Sequence, residues 1–409
     1  MSPKDLAMQH RGAFGAVEVH DGVATKRGDA FHEQTSLLGQ TAKEAIVLTA
    51  LGHAPEAIPG INLLVAPPDM DERMVTLRTR AGRMSLHEYV LQTPEGVREQ
   101  VAARLLKQLL TALYFMHEHH GVVHGDLKPG NIVVFEDSVE AFEVRVVDLG
   151  SSVPWRRTDA PVLCTYHFAA PESFASAVYD LRRADAYSLG MTMLYFLRSY
   201  MVPMGIASKP ARMRQFYAEC SLLRRQDFRL PEDVVGLLEH DPARRSTVAA
   251  LYYRLSDKIV IADPDARIVR GTLAGWQSAL ARAAAVRDLR GRCGGNPHAF
   301  ALAACLADRV ANDGGGQPDD DAIAACAIVA SGVLSKDSNV PAPARLRGAV
   351  LAVLRCIGFD VLTDSAATVL QERHGVAQLD LDRLEDAIVG GRGSVESAVA
   401  RYQAICILE

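Results

Sequence analysis

Hydrophobic residues are spaced as in strands near the beginning of the chain and as in helices further along. Val17 and Val19, followed by Val23, flank the polar sequence His-Asp-Gly, a combination typical of a β-hairpin turn. Residues 34–52 have apolar positions three and four residues apart, and this spacing predicts a helix. Residues 74–77 predict another strand. The first part of the chain is therefore expected to be a small, strand-rich unit.

The rest of the pattern is mainly helical. Residues 97–119 place leucines on one face and predict a long helix, whereas β-branched runs at 132–134 and 144–147 predict short strands. After Ser256, residues 257–275 contain Asp-Pro-Asp and two glycines, which is typical of a linker. The helices predicted beyond it cover residues 276–290, 300–312, 323–336, 346–359, 366–373 and 381–402. Two of them are apolar nearly all round, which predicts the centre of a helical bundle.

Composition narrows the class of protein. The chain has 409 residues, 49% of them hydrophobic, so two or three domains with their own cores are expected. The net charge of −5 predicts no general affinity for nucleic acid or anionic membranes. Seven scattered cysteines without metal-ligand spacing are typical of a reducing compartment. With no membrane-spanning apolar run and no signal peptide, we expect an intracellular protein, cytoplasmic or nuclear and not secreted. Its Ala-, Arg- and Val-rich usage would suit a large DNA virus.

Candidate chemistry is concentrated in residues 122–135, which read VVHGDLKPGNIVVF. This stretch places Asp126, Lys128 and Asn131 in one short loop before a β-branched run. Phosphoryl transfer needs a carboxylate that orients the attacking hydroxyl, a cation that neutralises the moving phosphoryl group, and a neutral oxygen ligand for Mg²⁺. The loop therefore indicates phosphoryl transfer, with a turn carrying incidental charges as the alternative.

The same stretch resembles the catalytic loop of protein kinases, HRDLKxxN, with Gly125 in place of the usual Arg. The resemblance implies that Asp126 orients the target hydroxyl, that Lys128 holds the transferred phosphate, and that Asn131 binds Mg²⁺. Further motifs follow in the order that this family requires, which weighs against the incidental turn.

Residues 11–26, RGAFGAVEVHDGVATK, resemble the glycine-rich loop of the family. The resemblance implies that Gly12, Gly15 and Val17 cover the ATP phosphates, where the absence of Cβ atoms lets the backbone approach closely. His10 stands where the family has its first glycine, a departure that weakens the expected affinity for nucleotide.

Lys26, in the sequence VATK, resembles the family lysine that contacts the ATP phosphates and pairs with a helical glutamate. Glu44 is the favoured partner and Glu33 a weaker candidate. By the same resemblance, Ala24 lies against adenine, and a hinge around residues 78–82 offers backbone groups to the base.

The sequence VRVVDLG resembles the DFG motif with Leu in place of Phe, which implies that Asp148 is the second Mg²⁺ ligand. Residues 151–172 resemble an activation segment ending in Ala-Pro-Glu, and Thr165 is placed like the threonine that contacts the catalytic aspartate of Ser/Thr kinases. Asp185, in DAYSLG, is expected to hold the catalytic-loop backbone, and Arg245 is expected to pair with Glu172.

The basic residues that grip an activation-segment phosphate in many kinases are largely missing. Gly125 and Lys43 replace two of the arginines, and Ala160 stands where a cyclin-dependent kinase carries its phosphothreonine. Activity is therefore predicted to be independent of activation-segment phosphorylation, including at nearby Thr158. Ala169 replaces the Arg that precedes Ala-Pro-Glu in cyclin-dependent kinases, so proline-directed specificity is not implied.

The helical region resembles a cyclin box over residues 276–375. Three segments carry the resemblance: ACLADRV with Asp308 and Arg309, ACAIVASGVLSK with Lys336, and LAVLRCIGFDV with Phe359-Asp360. Val350 replaces a glutamate of that family, which reduces the polar contacts expected with a kinase.

Together these resemblances imply an α+β protein: a bilobal kinase fold at 1–256, with lobes at about 1–81 and 82–256, followed by the 257–275 linker. An all-α, cyclin-box-like bundle at 276–409 completes it. The implied function is a cyclin-dependent-like Ser/Thr kinase that uses ATP and Mg²⁺, acts on protein substrates, and is activated in cis by the bundle. The alternatives are a weak or inactive kinase that recruits a partner kinase or transcription factor, and a kinase with a substrate-docking bundle.

Overall fold

The structure is a computed structural model. It describes residues 9–12, 15–31, 38–52, 58, 60–154, 165–174, 179–202, 229–256, 277–314, 316–334, 346–357, 361, 365–374, 376, 378–391 and 394–408.

The small lobe is built on a five-stranded antiparallel sheet with one helix against it. The strand order is β1-β2-β3-β5-β4. The elements are β1 (Gln9–Gly12), β2 (Gly15–His20), β3 (Val23–Asp29), α1 (Gln40–Gly52), β4 (Asp69–Met70) and β5 (Met74–Arg80). Asp21 and Gly22 form the predicted hairpin turn with positive φ angles of 48° and 75°, as a type I′ turn requires.

Cross-strand pairing decides which small-lobe side chains face α1. Lys26 pairs with Val17 on one side and Leu77 on the other, so these three side chains share a face. Ala24 lies two residues from Lys26 and pairs with Thr79, which places both on that face as well. The sequence-predicted residues Val17 and Ala24 therefore share the face from which Lys26 reaches Glu44 of α1.

Helix α1 begins at Gln40; the start predicted at residue 34 lies outside the described residues, as does Glu33. The helix is buried on nearly all sides because it lies between the sheet and the turn that follows Asp148. Gly39 precedes it and donates its N–H to the Ala30 carbonyl at 2.8 Å. A Cβ at Gly39 would collide with the Asp29 carbonyl, so only glycine fits here.

The connection between the lobes is shorter than predicted. The hinge was expected at residues 78–82, but strand β5 continues to Arg80 because Arg78 and Arg80 still pair with β3. The connection therefore begins at Ala81 and ends at β6. Gly82 passes so close to the Val133 side chain that a Cβ would collide with it.

The large lobe is mainly helical, with two small sheets next to the catalytic loop. Its strands are β6 (Met84–Ser85), β7 (Val122–Val123), β8 (Ile132–Glu136), β9 (Glu143–Val146) and β10 (Val153–Pro154). Its helices are α2 (Leu86–Gln92), α3 (Glu95–Tyr114), α4 (Leu181–Arg198), α5 (Glu232–Leu237) and α6 (Val248–Leu255). Strands β6, β8 and β9 form one sheet, and β7 pairs with β10.

Helix α3 confirms the long helix predicted at 97–119 but changes its form at the end. The α-helical part stops at Tyr114, and Phe115–His119 form a π-helical turn. Tyr114 is fully buried and stacks on Tyr252 of α6, with ring centroids 3.9 Å apart. The wider turn lets the chain enter the catalytic loop while Tyr114 keeps its place in the core.

The last described part of the chain is an all-helical bundle. Its helices are α7 (Ala279–Arg292), α8 (Pro297–Asp313), α9 (Asp320–Leu334), α10 (Arg347–Cys356), α11 (Ala366–His374), α12 (Leu381–Gly390) and α13 (Val395–Leu408). Every residue from Ile323 to Leu334 is buried, as expected for a helix at the centre of a bundle. The helical segment predicted at 381–402 is wrong as one element, because the chain turns at Gly391. A Cβ there would lie 2.8 Å from the Ala398 backbone nitrogen.

A buried ion pair ties three helices of the bundle together. Arg282 of α7 donates to both carboxylate oxygens of Asp308 on α8, at 2.6 and 2.8 Å. Its guanidinium also donates to the Ile388 carbonyl of α12 at 3.0 Å. The Arg282 side chain is 3% exposed, so the pair lies within the core.

The bundle packs against the small lobe and the start of the activation segment. Gly332 of α9 lies against the Leu38 side chain, and α9 also contacts β10. Arg355 of α10 donates to the Met70 carbonyl at 2.8 Å. Val350 is 1% exposed. Lys336 and the Phe359-Asp360 pair lie outside the described residues.

Among the helices that the structure describes, none combines the length and the apolar character needed to cross a bilayer.

Candidate active site

The catalytic-loop residues converge on one carboxylate. Lys128 Nζ lies 2.6 Å from Asp126 Oδ2 and 2.7 Å from the Thr165 hydroxyl oxygen. The backbone N–H of Thr165 donates to Asp126 Oδ1 at 2.8 Å. Thr165 thus contacts Asp126 through its backbone, whereas its side chain accepts from Lys128. This contact joins the catalytic loop to the chain before Ala-Pro-Glu.

Asn131 closes the other side of the loop. Its amide nitrogen donates to the Asp126 carbonyl at 2.9 Å and lies 3.4 Å from Oδ2 of the same residue. The amide oxygen is thereby directed away from Asp126. The 3-10 turn Pro129–Asn131 and strand β8 place Asn131 at the end of the loop, as the sequence predicted.

Asp185 of α4 fixes the backbone of the loop. Its carboxylate accepts from the His124 N–H at 2.7 Å, the Gly125 N–H at 3.0 Å and the His117 ring at 3.0 Å. Burial would raise the pKa of Asp185, but the hydrogen bond and charge of His117, together with the Gly125 N–H, lower it. The expected contact of Asp185 with the loop backbone is therefore present.

His124 links this loop to the strand that leads to Asp148. Its Nδ1 accepts from the Asp126 N–H at 3.2 Å, so Nε2 carries the proton and donates to the Val147 carbonyl at 3.2 Å. Gly125 has a φ of +76°, a conformation that glycine adopts at little cost.

Lys26 joins two carboxylates from different parts of the chain. Its ammonium lies 2.6 Å from Glu44 Oε2 and 2.7 Å from Asp148 Oδ1. The structure therefore brings together the three residues that the sequence placed on β3, on α1 and after β9. Glu44 also accepts from the Leu149 backbone N–H at 3.3 Å, so α1 contacts the DLG sequence directly.

The two carboxylates respond differently to the shared cation. Burial would lower the pKa of Lys26, but Glu44 and Asp148 outweigh burial and raise it. Burial raises the pKa of Glu44 and Lys26 opposes this only in part. Burial would also raise the pKa of Asp148, but Lys26 outweighs burial and lowers it. Asp148 is therefore the more strongly ionised partner.

The ATP-facing residues predicted in the small lobe are partly described. Val17 and Ala24 share the face that carries Lys26. Gly12 and Gly15 pair directly across the tip of the β1–β2 hairpin, with the two residues between them outside the described part. His10 occupies a regular strand position opposite Val17. Thr79, opposite Ala24, was not predicted and becomes part of this face.

The residues expected to bind Mg²⁺ fit a divalent cation. The Asn131 carbonyl accepts from the Val147 N–H at 2.9 Å, which places Asn131 beside the residue that precedes Asp148. One oxygen of Asp148 faces Lys26, and the amide oxygen of Asn131 is turned away from Asp126. Amide and carboxylate oxygens are the ligands that Mg²⁺ prefers, with phosphate oxygens supplying further positions.

The ion pair predicted between Arg245 and Glu172 is present. Arg245 donates to the two oxygens of Glu172 at 2.6 and 3.0 Å, and its side chain is fully buried. The pair anchors the end of the activation segment on the body of the large lobe.

Sequence reasoning missed the supporting role of His117. It lies near the end of the helix predicted at 97–119, and in the structure it is 2% exposed and bonded to Asp185. The available signal was its place on the apolar face of the helix predicted at 97–119, where an unpaired imidazole would be costly.

The protein kinase domain family matches residues 16–270, which is more than half of the chain. The chain belongs to the protein kinase family. The match includes Lys26, Glu44, Asp126 and Asp148, and it extends into the segment predicted as a linker. For the kinase domain, the fold inferred from the motifs is therefore confirmed.

Individual relatives of the kinase domain agree with this family. The chain is 36% identical to sperm motility kinase 2B of Mus musculus over 170 residues, which cover 40% of the chain and 33% of that protein. It is 35% identical to ribosomal protein S6 kinase alpha-4 of Mus musculus over 170 residues, or 37% of the chain and 22% of that protein. The chain thus spans about a third or less of these relatives.

Proposed function

We propose that this protein is a Ser/Thr protein kinase that transfers the ATP γ-phosphate to protein hydroxyls and is activated in cis by its own cyclin-like bundle. The kinase part occupies 1–256, the linker 257–275 and the bundle 276–409. The protein acts inside the cell, with protein substrates and with the bundle as its intramolecular partner.

The observation that carries the proposal is the ion pair between Lys26 and Glu44, whose charged atoms lie 2.6 Å apart. In the same structure, Asp126 accepts hydrogen bonds from Lys128 and from the Thr165 backbone. A kinase site needs the lysine–glutamate pair and the metal-binding aspartate in place together. Asp148 lies 2.7 Å from the same lysine, so the two requirements are met in one arrangement.

Each residue has a defined task in this proposal. Asp126 accepts a hydrogen bond from the target hydroxyl and orients its oxygen, while Lys128 neutralises charge that develops on the phosphate. Thr165 fixes the positions of Asp126 and Lys128 relative to each other, because it is hydrogen-bonded to both. When bound, ATP with Mg²⁺ would supply the phosphoryl group. Lys26 would hold the ATP phosphates, and Asn131 and Asp148 would hold the metal ion.

Support for activation in cis comes from where the bundle lies. Gly332 packs on Leu38, two residues before α1 begins, and α9 also contacts β10 at the start of the activation segment. The bundle therefore touches both elements whose positions decide whether Glu44 reaches Lys26. The linker keeps the bundle at high effective concentration, so a modest interface stays closed.

Thr165 supports hydroxyl specificity of the Ser/Thr type. Its hydroxyl accepts from Lys128 and its N–H donates to Asp126, so the cleft is bordered by a small polar side chain beside the acceptor. We propose that short hydroxyl side chains reach Asp126 in this geometry.

Phosphate transfer from ATP–Mg²⁺ to a generic basic protein tests the proposal, using the full chain, Asp126→Asn and a chain ending at Ser256. Removal of the aspartate should lower turnover at least about a hundredfold, because a positioned general base contributes 10²- to 10⁴-fold. Glu143→Gln, a surface carboxylate paired with Arg145, is the matched control. Circular dichroism on the shortened chain separates a folding defect from lost activation.

The outcomes distinguish the candidate functions. Activity lost in both Asp126→Asn and the shortened chain supports a kinase activated by its bundle. Activity lost in Asp126→Asn alone leaves a kinase with a substrate-docking bundle. An inactive full chain would indicate a binding scaffold that recruits a partner kinase or transcription factor, an outcome favoured by His10 in place of a glycine in β1.

A further inference from the structure

The start of α1 is attached to the sheet at several points. Phe31 and Leu38 form an antiparallel bridge across the base of the β3–α1 connection. The neighbouring Ala30 accepts from Gly39 and donates to the Arg73 carbonyl, each at 2.8 Å. A displacement of the β4–β5 turn or of Phe31 is therefore passed to the first turn of α1.

Helix α10 contacts these same attachment points. The Arg355 guanidinium donates to the Met70 carbonyl of β4 at 2.8 Å, and the Arg347 guanidinium lies 5.4 Å from the centre of the Phe31 ring. An Arg over an aromatic face is attracted by the ring quadrupole. We call these two interactions the α10 contact.

The turn between β4 and β5 complements α10 in charge. A Cβ on Gly348 would lie 3.3 Å from a Glu72 carboxylate oxygen, so this carboxylate lies over the first turn of α10. Asp71 accepts from the Met74 and Arg73 N–H groups, which lower its pKa, and Arg355 is close enough to contribute. Two carboxylates of the small lobe thus face the basic side of α10.

We propose that the α10 contact is a second anchor of the bundle, separate from the packing of α9 on Leu38, and that Arg347 and Arg355 are positioning residues for Glu44. This inference rests on the proposed activation in cis. Its physical basis is the short path from Met70 and Phe31, through the bridge to Leu38, into the first turn of α1. Val350, where the cyclin pattern has a glutamate, is apolar and offers no polar contact to the small lobe, whereas Arg355 and Arg347 do.

The full-length chain tests this with Arg347→Met and Arg355→Met combined. Arg355 is exposed and Arg347 is half-buried, and methionine keeps the apolar part of each side chain, so the fold should persist. We expect kcat/KM for ATP to fall about tenfold, within the range of couplings between distant sites. Lysine at both positions keeps the cations and should restore most of the activity. Arg292→Met, which breaks an ion pair with Asp288 within α7, is the matched control and should leave activity unchanged.

Hydrogen exchange provides a readout that loss of bundle stability would not mimic. In the double Met variant, amides at residues 40–48 should exchange faster, while amides of α8 keep their wild-type rates. Equal acceleration in α8 would mean that the arginines stabilise the bundle alone, and would overturn the inference.

A disulfide offers a direct rescue. A Cβ built at Gly332 lies 3.7 Å from the Leu38 Cβ, close to the mean of about 3.8 Å in disulfides. Adding Leu38→Cys and Gly332→Cys to the double Met variant should restore activity on oxidation and lose it again on reduction. Oxidised protein that keeps the roughly tenfold loss in kcat/KM would overturn the inference.

The activities of the wild-type chain, the chain ending at Ser256 and the double Met variant distinguish failure of this inference from failure of the proposed function. An inactive wild-type chain removes the proposed kinase function itself. A wild type that is active, that needs its bundle, and that tolerates both Met substitutions removes only the α10 contact as an anchor.

Discussion

Asp148 combines an uncommon backbone conformation with a shared cation. Its φ of +61° and ψ of +65° lie in the left-handed region, where a non-glycine residue costs about 1 kcal/mol or more. The conformation turns the carboxylate towards Lys26 and lets the next N–H reach Glu44. Backbone strain is therefore retained where three charged groups must meet.

At the same scale, we expect Asp185 to set the stability of the catalytic loop in a pH-dependent way. Its pKa is below the ordinary value of about 4, so the carboxylate stabilises the fold fully above that value and loses its effect only as the pH falls below it. Asp185→Asn should lower the free energy of unfolding by about 3 kcal/mol at pH 7, because buried partners lose an ionised acceptor.

Denaturant unfolding measured between pH 3 and pH 7 checks this. The difference between wild type and Asp185→Asn should stay constant down to about pH 4 and shrink below it. Glu143→Gln, an exposed carboxylate, should change stability by less than about 1 kcal/mol throughout. A difference that shrinks between pH 7 and pH 5 would contradict the assignment.

At the scale of elements, chemistry was easier to predict than boundaries. Asp126 was predictable because phosphoryl transfer restricts the residue types of its loop, whereas Lys26 and Asp148 were predicted from their resemblance to motifs of the kinase family. The π-helical turn after Tyr114 and the extension of β5 to Arg80 depend on tertiary hydrogen bonding, which the local hydrophobic pattern does not encode.

The helix predicted at 381–402 is divided in the structure into α12 and α13. Gly391 was a signal of this division in the sequence, but the apolar spacing continued past it and favoured a single helix. Gly391 ends α12 where the chain approaches α13 closely, whereas Gly291 on α7 has open space around its Cα. Gly391→Ala should therefore lower the free energy of unfolding by more than about 1 kcal/mol. Gly291→Ala should raise it by about 0.5 kcal/mol, because alanine favours the helix. Thermal unfolding compares them, and equal effects would contradict the close approach.

The activation segment gives a prediction about regulation at this scale. Gly125 replaces a phosphate-gripping arginine, and Lys26 already holds Glu44 in the structure. Thr158→Ala should therefore keep at least about half of wild-type turnover, since no charge-assisted contact to a phosphate is lost. Thr165→Ala should lose much of it, because Lys128 loses an acceptor. A large loss from Thr158→Ala, measured with ATP–Mg²⁺ and a protein substrate, would favour phosphorylation-dependent activity.

At the scale of the whole molecule, the stability of the bundle and the activity of the kinase are expected to change together. Arg282→Met removes the guanidinium that donates to both oxygens of the buried Asp308 carboxylate and should destabilise the bundle by about 3–5 kcal/mol. Replacing both partners with apolar residues should cost less than the single change. Activity measured on heating should fall with bundle unfolding followed by circular dichroism. Activity that persists after the bundle unfolds would contradict cis activation.

Because α9 and α10 pack on the small lobe, the order of synthesis along the chain determines when the kinase can become active. The catalytic residues are all synthesised before residue 186, whereas the helices that cover the start of α1 emerge later. At roughly 5–20 residues per second, synthesis of α9 and α10 is completed on the order of ten seconds after that of the kinase lobes. On the proposed mechanism, a nascent chain has no kinase activity until α10 has been synthesised. A product of premature termination before α9 would carry every catalytic side chain but would lack the bundle that activates the kinase.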